Sequence, residues 1–130
     1  MFRGGPMWIL LDSGSDDNFV SAKFVAEHSL VTCGVPPYTV EGAATSAQHI
    51  NACVEGLKVL VDKTTLVEIF YLADIHRMDL ILGMSWLVKV DPEIKWSINR
   101  VLLEYGGVKD VWFEEGVQPL IVTLSTTSLK

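Results

Sequence analysis

The sequence predicts one mainly β domain with minor helix, and three observations lead there. Its apolar residues fall in short runs broken by Gly, Pro, Asn and Asp, the punctuation of strands joined by tight connections. Two of those runs, residues 57–61 (LKVLV) and 66–72 (LVEIFYL), alternate well enough to pair around the turn residues Asp62, Lys63, Thr64 and Thr65. A length of 130 residues with a 49% apolar fraction and a mean hydropathy of +0.33 suits one packed core.

The elements follow in chain order. Residues 8–11 (WILL) read as a buried strand that ends abruptly at Asp12-Ser13-Gly14, so an apolar segment delivers a polar loop. Extended structure resumes over 18–20, and Ser21 caps a short helix over 22–28 with Phe24, Val25 and Leu30 toward the core. Pro36-Pro37 excludes helix beyond that. From Tyr38 to Leu60 two strands flank a centre of small residues at 42–46, a tip without a large anchor that is free to move. The alternating pair comes next, then a short strand over 79–82 ended by Gly83. A turn or two of helix over 84–89 stops at Asp91-Pro92, because proline disfavours helix in the residue before it. Residues 93–96, 100–105 and 108–113 close the domain as strands, with Gly106-Gly107 as a hairpin turn. The pattern fades from Glu114, which divides the chain into a domain over 1–113 and a connector or tail over 114–130.

Composition excludes several functions. Ten basic residues against sixteen acidic ones leave a net charge of −6 and a pI near 4.9, a poor surface for nucleic-acid phosphates. Cys33 and Cys53 lack zinc-site spacing and are too few for a disulfide scaffold, so a reduced compartment is expected. The longest apolar runs stay far below the roughly 20 residues of a membrane span, and no signal peptide is visible. The chain therefore reads as soluble and intracellular, with neither membrane nor nucleic acid as partner. His28, His49 and His76 are scattered, without H-E-x-x-H spacing, and G-x-S-x-G is absent, which disfavours a metal site or a serine hydrolase. Trp86 and Trp96 read as core anchors.

Chemistry concentrates at Asp12-Ser13-Gly14. A carboxylate on a stiff loop, a hydroxyl beside it and a Gly that admits a close approach make a site geometry. Alone, that tripeptide arises by chance in on the order of one chain in twenty of this length, and Asp12 also reads as a simple turn residue after a strand. Its company is more specific. WILLDSGSDDNFVS, then LILGMSWL, then DPEIKW occur in order, and together they resemble the retropepsin-like aspartic proteases, more narrowly the protease segment of gypsy-type LTR retrotransposon polyproteins. The similarity spans residues 4–113.

The resemblance implies a small closed β-barrel of the retropepsin type, with one or two short helices and a flap hairpin over the Asp loop. It implies an aspartic endopeptidase that processes its own polyprotein, in the cytoplasm or inside virus-like particles, with no metal and no cofactor. A homodimer follows, since this chemistry takes two carboxylates and the chain has one D-S-G. By resemblance Asp12, Ser13 and Gly14 are the catalytic residues. Ser15, Asp16 and Asp17 line the polypeptide substrate, although Asp16 and Asp17 also read as two solvated acidic residues. Ser15 is further expected to bond the Asp12 carboxylate and shift activity to acidic pH. Gly42, Ala43, Ala44 and Thr45 lie at the flap tip, and Leu80, Ile81, Leu82 and Gly83 form the strand that supports the loop. The family carries a strand before the Asp loop's strand, whereas here Phe2-Arg3-Gly4-Gly5-Pro6 reads as the turn of a hairpin whose first strand is missing. That shortfall favours a second reading, a catalytically silent binding or assembly module on the same fold; the ordered LILG and M-x-W-L motifs count against a third, an unrelated small β-barrel in which D-S-G is a turn.

Overall fold

The computed structural model describes residues 2, 7–40, 48–61, 63–95, 100–105, 107–113 and 120–121, and more than half of these lie in strands. The three short apolar strands at its centre explain the layout. Ile9–Leu11 (β1) runs parallel to Leu80–Leu82 (β6), with Ile9 opposite Leu80 and Leu11 opposite Leu82. Phe19–Ser21 (β2) pairs antiparallel with β6 on its other side. β1 and β6 are apolar throughout, as is β2 up to its closing Ser21, because both faces are covered. Strand alternation sends Ile9, Leu11, Val20, Leu80 and Leu82 into one cluster with Phe24, Phe70 and the fully buried Trp86. The intervening Phe19 and Ile81 enter a second cluster with Ile50, Ala73 and Ile75, against which Leu10, Tyr38 and Tyr71 pack.

The remaining strands extend this centre. Thr64–Ala73 (β5) lies parallel to β2, Gln48–Val61 (β4) pairs antiparallel with β5, and Cys33–Val40 (β3) forms the edge. Leu120–Ile121 (β10), inside the stretch read from sequence as connector, pairs parallel with β1. The sheet order is β10-β1-β6-β2-β5-β4-β3. Glu93–Lys95 (β7), Arg100–Tyr105 (β8) and Val108–Phe113 (β9) make a separate antiparallel meander in which Gly107 takes φ 82 at the turn. Among the described residues the second sheet is anchored by buried Asp110, whose Oδ2 accepts from the Lys63 amide at 3.0 Å and the Thr64 hydroxyl at 2.7 Å.

The expected closed barrel is not what forms. Closure requires the two outer strands to pair, and among the described residues β10 and β3 stand at opposite ends of the order. The edge strand β3 contains Pro36 and Pro37, which have no N–H to offer a further strand, so proline is tolerated there and ends the sheet. Pro36-Pro37 thus excludes helix as read, yet sits inside a strand that the sequence was expected to begin only at Tyr38.

Both helices are short and follow their local signals. Ala22–Glu27 (α1) is capped by Ser21, whose Oγ accepts from the Phe24 amide at 3.3 Å, and buries Phe24 and Val25. Met84–Val90 (α2) buries Trp86 and ends at Asp91, in the left-handed region at φ 49, immediately before Pro92. Among the described residues no helix is long and apolar enough to cross a membrane.

Candidate active site

The loop after β1 is built by the strands and helix around it. The Asp12 amide donates to the Leu82 carbonyl at 3.0 Å, which continues the β1–β6 ladder by one rung and fixes where the carboxylate starts. Its side chain is buried, at 2% exposure, and Oδ1 accepts from the Gly14 amide at 2.9 Å. A buried carboxylate with a backbone donor is held in one orientation. The Ser15 amide closes the turn on the Asp12 carbonyl at 3.1 Å, and Ser13 sits half-buried between them.

The far side of the loop is fastened to the start of α2. A helix leaves its first amides without intrahelical partners, and no side chain caps this one. Instead the Met84 amide donates to the Ser15 carbonyl at 2.7 Å and the Ser85 amide to the Asp16 carbonyl at 2.9 Å. Between them the Gly83 amide donates to Oδ1 of buried Asn18 at 3.0 Å. The approach is so close that a Cβ on Gly83 would overlap the Asp17 carbonyl and lie 2.6 Å from the Ser15 carbonyl oxygen. Leu82 and Gly83 thus meet the loop directly, whereas Leu80 and Ile81 pair with β1 and β2 behind it; all four are buried.

Ser15 departs from expectation. Its hydroxyl donates to the Asp17 carbonyl at 2.9 Å, bracing the loop from within, and its proton is not directed to Asp12. The turn formed by the Ser15 amide on the Asp12 carbonyl points the side chain onward along the loop. Ser15→Ala should lower stability by about 1 kcal/mol, the usual worth of such a bond, as read by denaturant unfolding. In cleavage assays the acidic limb of the pH–rate profile should stay where it is, without the shift that a bond to Asp12 would give.

Asp16 is exposed, whereas Asp17 is partly buried and reaches the edge strand: the Tyr38 hydroxyl donates to Asp17 Oδ2 at 3.2 Å. The Tyr38 ring meets Tyr71 edge to face at 5.7 Å between centroids, and Tyr71 in turn lies 6.4 Å from Phe19. Burial, and next the charge of Asp17, push the Tyr38 phenol well above its ordinary range. Because the folded form holds this proton harder, its contribution to stability is complete below the ordinary value of about 10 and declines as the pH climbs from there toward the raised one. Tyr38→Phe should show a shallower loss of stability above pH 10 than the parent, measurable by denaturation midpoints across an alkaline series.

Asn18 and Tyr38 are the two site-building residues that sequence reading passed over. A polar Asn between an acidic pair and the apolar Phe19-Val20 was the available signal for Asn18. Tyr38 carried none, because its partner is 21 residues away. Gly42, Ala43, Ala44 and Thr45 lie outside the described residues, as does Trp96. The histidines are not brought together: His28 stacks among Phe2 and Phe24, His49 contacts Thr39 Oγ1 at 3.1 Å, and His76 is exposed on another loop. Among the described residues no three His, Cys, Asp or Glu side chains form a metal-binding group.

The order of these parts has a counterpart among known proteins. Residues 8–106, most of the 130, match the family model of the PEG10/RTL1 protease domain. That segment begins at β1, contains the Asp12 loop, the β3–β4 hairpin and the β6–α2 junction, and ends after β8. The chain belongs to the PEG10/RTL1 protease domain family, retropepsin-like domains derived from gypsy LTR retrotransposons.

Proposed function

We propose that the chain is an aspartic endopeptidase whose active site is completed by a second copy of itself. The observation that carries this reading is the Asp12 carboxylate, oriented by the Gly14 amide on a loop tied to both β6 and α2. One chain supplies one such carboxylate. Two Asp12 side chains brought within a few ångström cannot both ionise cheaply, so they share a proton and titrate as a pair, the behaviour the aspartic proteases exemplify. The ionised member takes a proton from a water held between them, the protonated member donates to the peptide carbonyl, and the water attacks without a covalent enzyme intermediate.

In this reading Ser13 braces the two loops across the dimer axis and Gly14 admits the substrate backbone. Asp16 and Asp17 hold backbone amides of the bound polypeptide, with Ser15 beside them keeping the loop's shape. Gly42, Ala43, Ala44 and Thr45 close over the peptide and exclude water. The substrate is the polyprotein that carries the domain, cut in the cytoplasm or in an assembling particle. Specific activity should rise with protein concentration until the dimer saturates. A dilution series of the cleavage rate beside sedimentation measures this. A monomer with concentration-independent activity would defeat the shared-carboxylate mechanism.

One observation favours a second reading, a catalytically silent binding module on the same fold. Asp12 is 2% exposed within a single chain, so a peptide carbonyl reaches it only once the surroundings of the loop rearrange. A well-folded monomer without cleavage at any concentration would favour that module.

A further inference from the structure

The two cysteines, twenty residues apart in sequence, are direct cross-strand partners: Cys33 on β3 lies opposite Cys53 on β4. Opposed residues of an antiparallel pair place their side chains on one face with Cα atoms roughly 4.5–5.5 Å apart, inside the window of about 4.4–6.8 Å that a disulfide spans. Cys33 is exposed and Cys53 buried, and both are thiols. This end of the edge strand is also thinly held. Only one further rung, Gly34 opposite Ala52, follows before the register shifts, and pairing resumes at Tyr38 opposite Ile50. The skipped stretch holds Pro36 and Pro37, and Val31 just before the strand is 83% exposed.

We propose that Cys33 and Cys53 form a reversible intrachain disulfide that staples β3 to β4 at the end of the pair remote from Tyr38. The oxidant is a low-molecular-weight disulfide of the glutathione class. Exposed Cys33, as thiolate, attacks one sulfur of that molecule, forming a mixed disulfide and expelling the other half as a thiolate. The Cys53 thiolate then attacks the Cys33 sulfur, closing the Cys33–Cys53 bond and releasing the second half. Two cysteine thiols are oxidised, one small disulfide is reduced to two thiols, and the two protons pass to the departing thiolates. The order follows from access: burial, then Glu55 and Cys33 nearby, push the Cys53 thiol up, so it resolves rather than initiates.

The bond would close a ring that includes Tyr38, whose hydroxyl donates to Asp17 of the active-site loop. Oxidation therefore restrains the β3–β4 pair beside that loop while leaving Asp12 chemically untouched, and its effect on cleavage rests on the function proposed above. The test is incubation of the intact protein with oxidised glutathione, followed by thiol titration, peptide mapping under non-reducing conditions and amide hydrogen exchange. The expected result is a fall from two titratable thiols to none, one peptide pair joined through Cys33 and Cys53 in a monomeric chain, full reversal by dithiothreitol, and exchange across residues 33–40 slowed about tenfold or more. In Cys33→Ser the remaining Cys53 should stay a thiol under the same treatment. A lasting glutathione adduct on Cys33 with Cys53 still free, a covalent two-chain species through Cys33, or no reaction would each overturn the proposal.

Discussion

Peptide cleavage by the Asp12→Asn variant is expected to fall by about 10²–10⁴-fold or more, the range associated with losing a positioned acid–base group. The amide is nearly isosteric and its oxygen still accepts from the Gly14 amide, so the loop has no reason to rearrange. What disappears is chemical: two Asn side chains share no proton, and neither can take one from water. The fold should persist, with a thermal midpoint within a few degrees of the parent. Rates over pH 4 to 7 beside thermal denaturation separate the two effects. An Asn variant that cleaves as fast as the parent would remove Asp12 from the mechanism, and a variant that unfolds would be replaced by Asp12→Glu, which keeps the charge and misplaces it.

The largest structural effect is expected from Gly83→Ala. One added carbon would meet the carbonyl oxygens of Asp17 and Ser15, both backbone atoms of the site loop. Backbone cannot swing aside as a long side chain can, so the loop or the start of α2 must move, at about 3 kcal/mol or more, the upper part of the overpacking range. Conformational strain is no part of this cost, because Gly83 at φ −96 and ψ −165 occupies ordinary extended space. The same movement pulls on the Met84, Ser85 and Gly83 hydrogen bonds that hold the loop, so cleavage should fall together with stability. Gly34→Ala is the control: nothing lies within 4 Å of its added carbon, and the change should stay within about 0.5 kcal/mol. Denaturant midpoints of both variants decide it, and equal midpoints would mean that the close approach at Gly83 is not required.

Much of the strand plan was legible because the periods are local. The 108–113 and 100–105 strands, the Ser21 cap and the stop at Asp91-Pro92 each depend on neighbours in sequence, and each appears where the residues placed it. Leu57–Val61 belongs to a longer strand than its alternation marked, since Gly56, at φ 66, carries a bulge that breaks the period without ending the pairing. The expected bond from Ser15 to Asp12 fails for a similar reason. A hydroxyl next to a carboxylate in sequence need not face it, and here the turn at Asp12 directs it to Asp17.

Residue order alone determined a mainly β chain, its family and the tripeptide at its chemical centre, because alternation, turn residues and ordered motifs are written in neighbouring positions. Contacts across 46 to 71 residues were decided only in three dimensions: Asp79 receiving the Trp8 amide at 2.8 Å, Asn18 receiving that of Gly83, and Asp110 receiving the Thr64 hydroxyl. Openness of the sheet belongs with them, since whether β3 meets another strand depends on where seven strands have accumulated their twist, and no single segment records that sum. The pairing of Cys33 with Cys53 has the same origin, a register that exists only once the hairpin has closed.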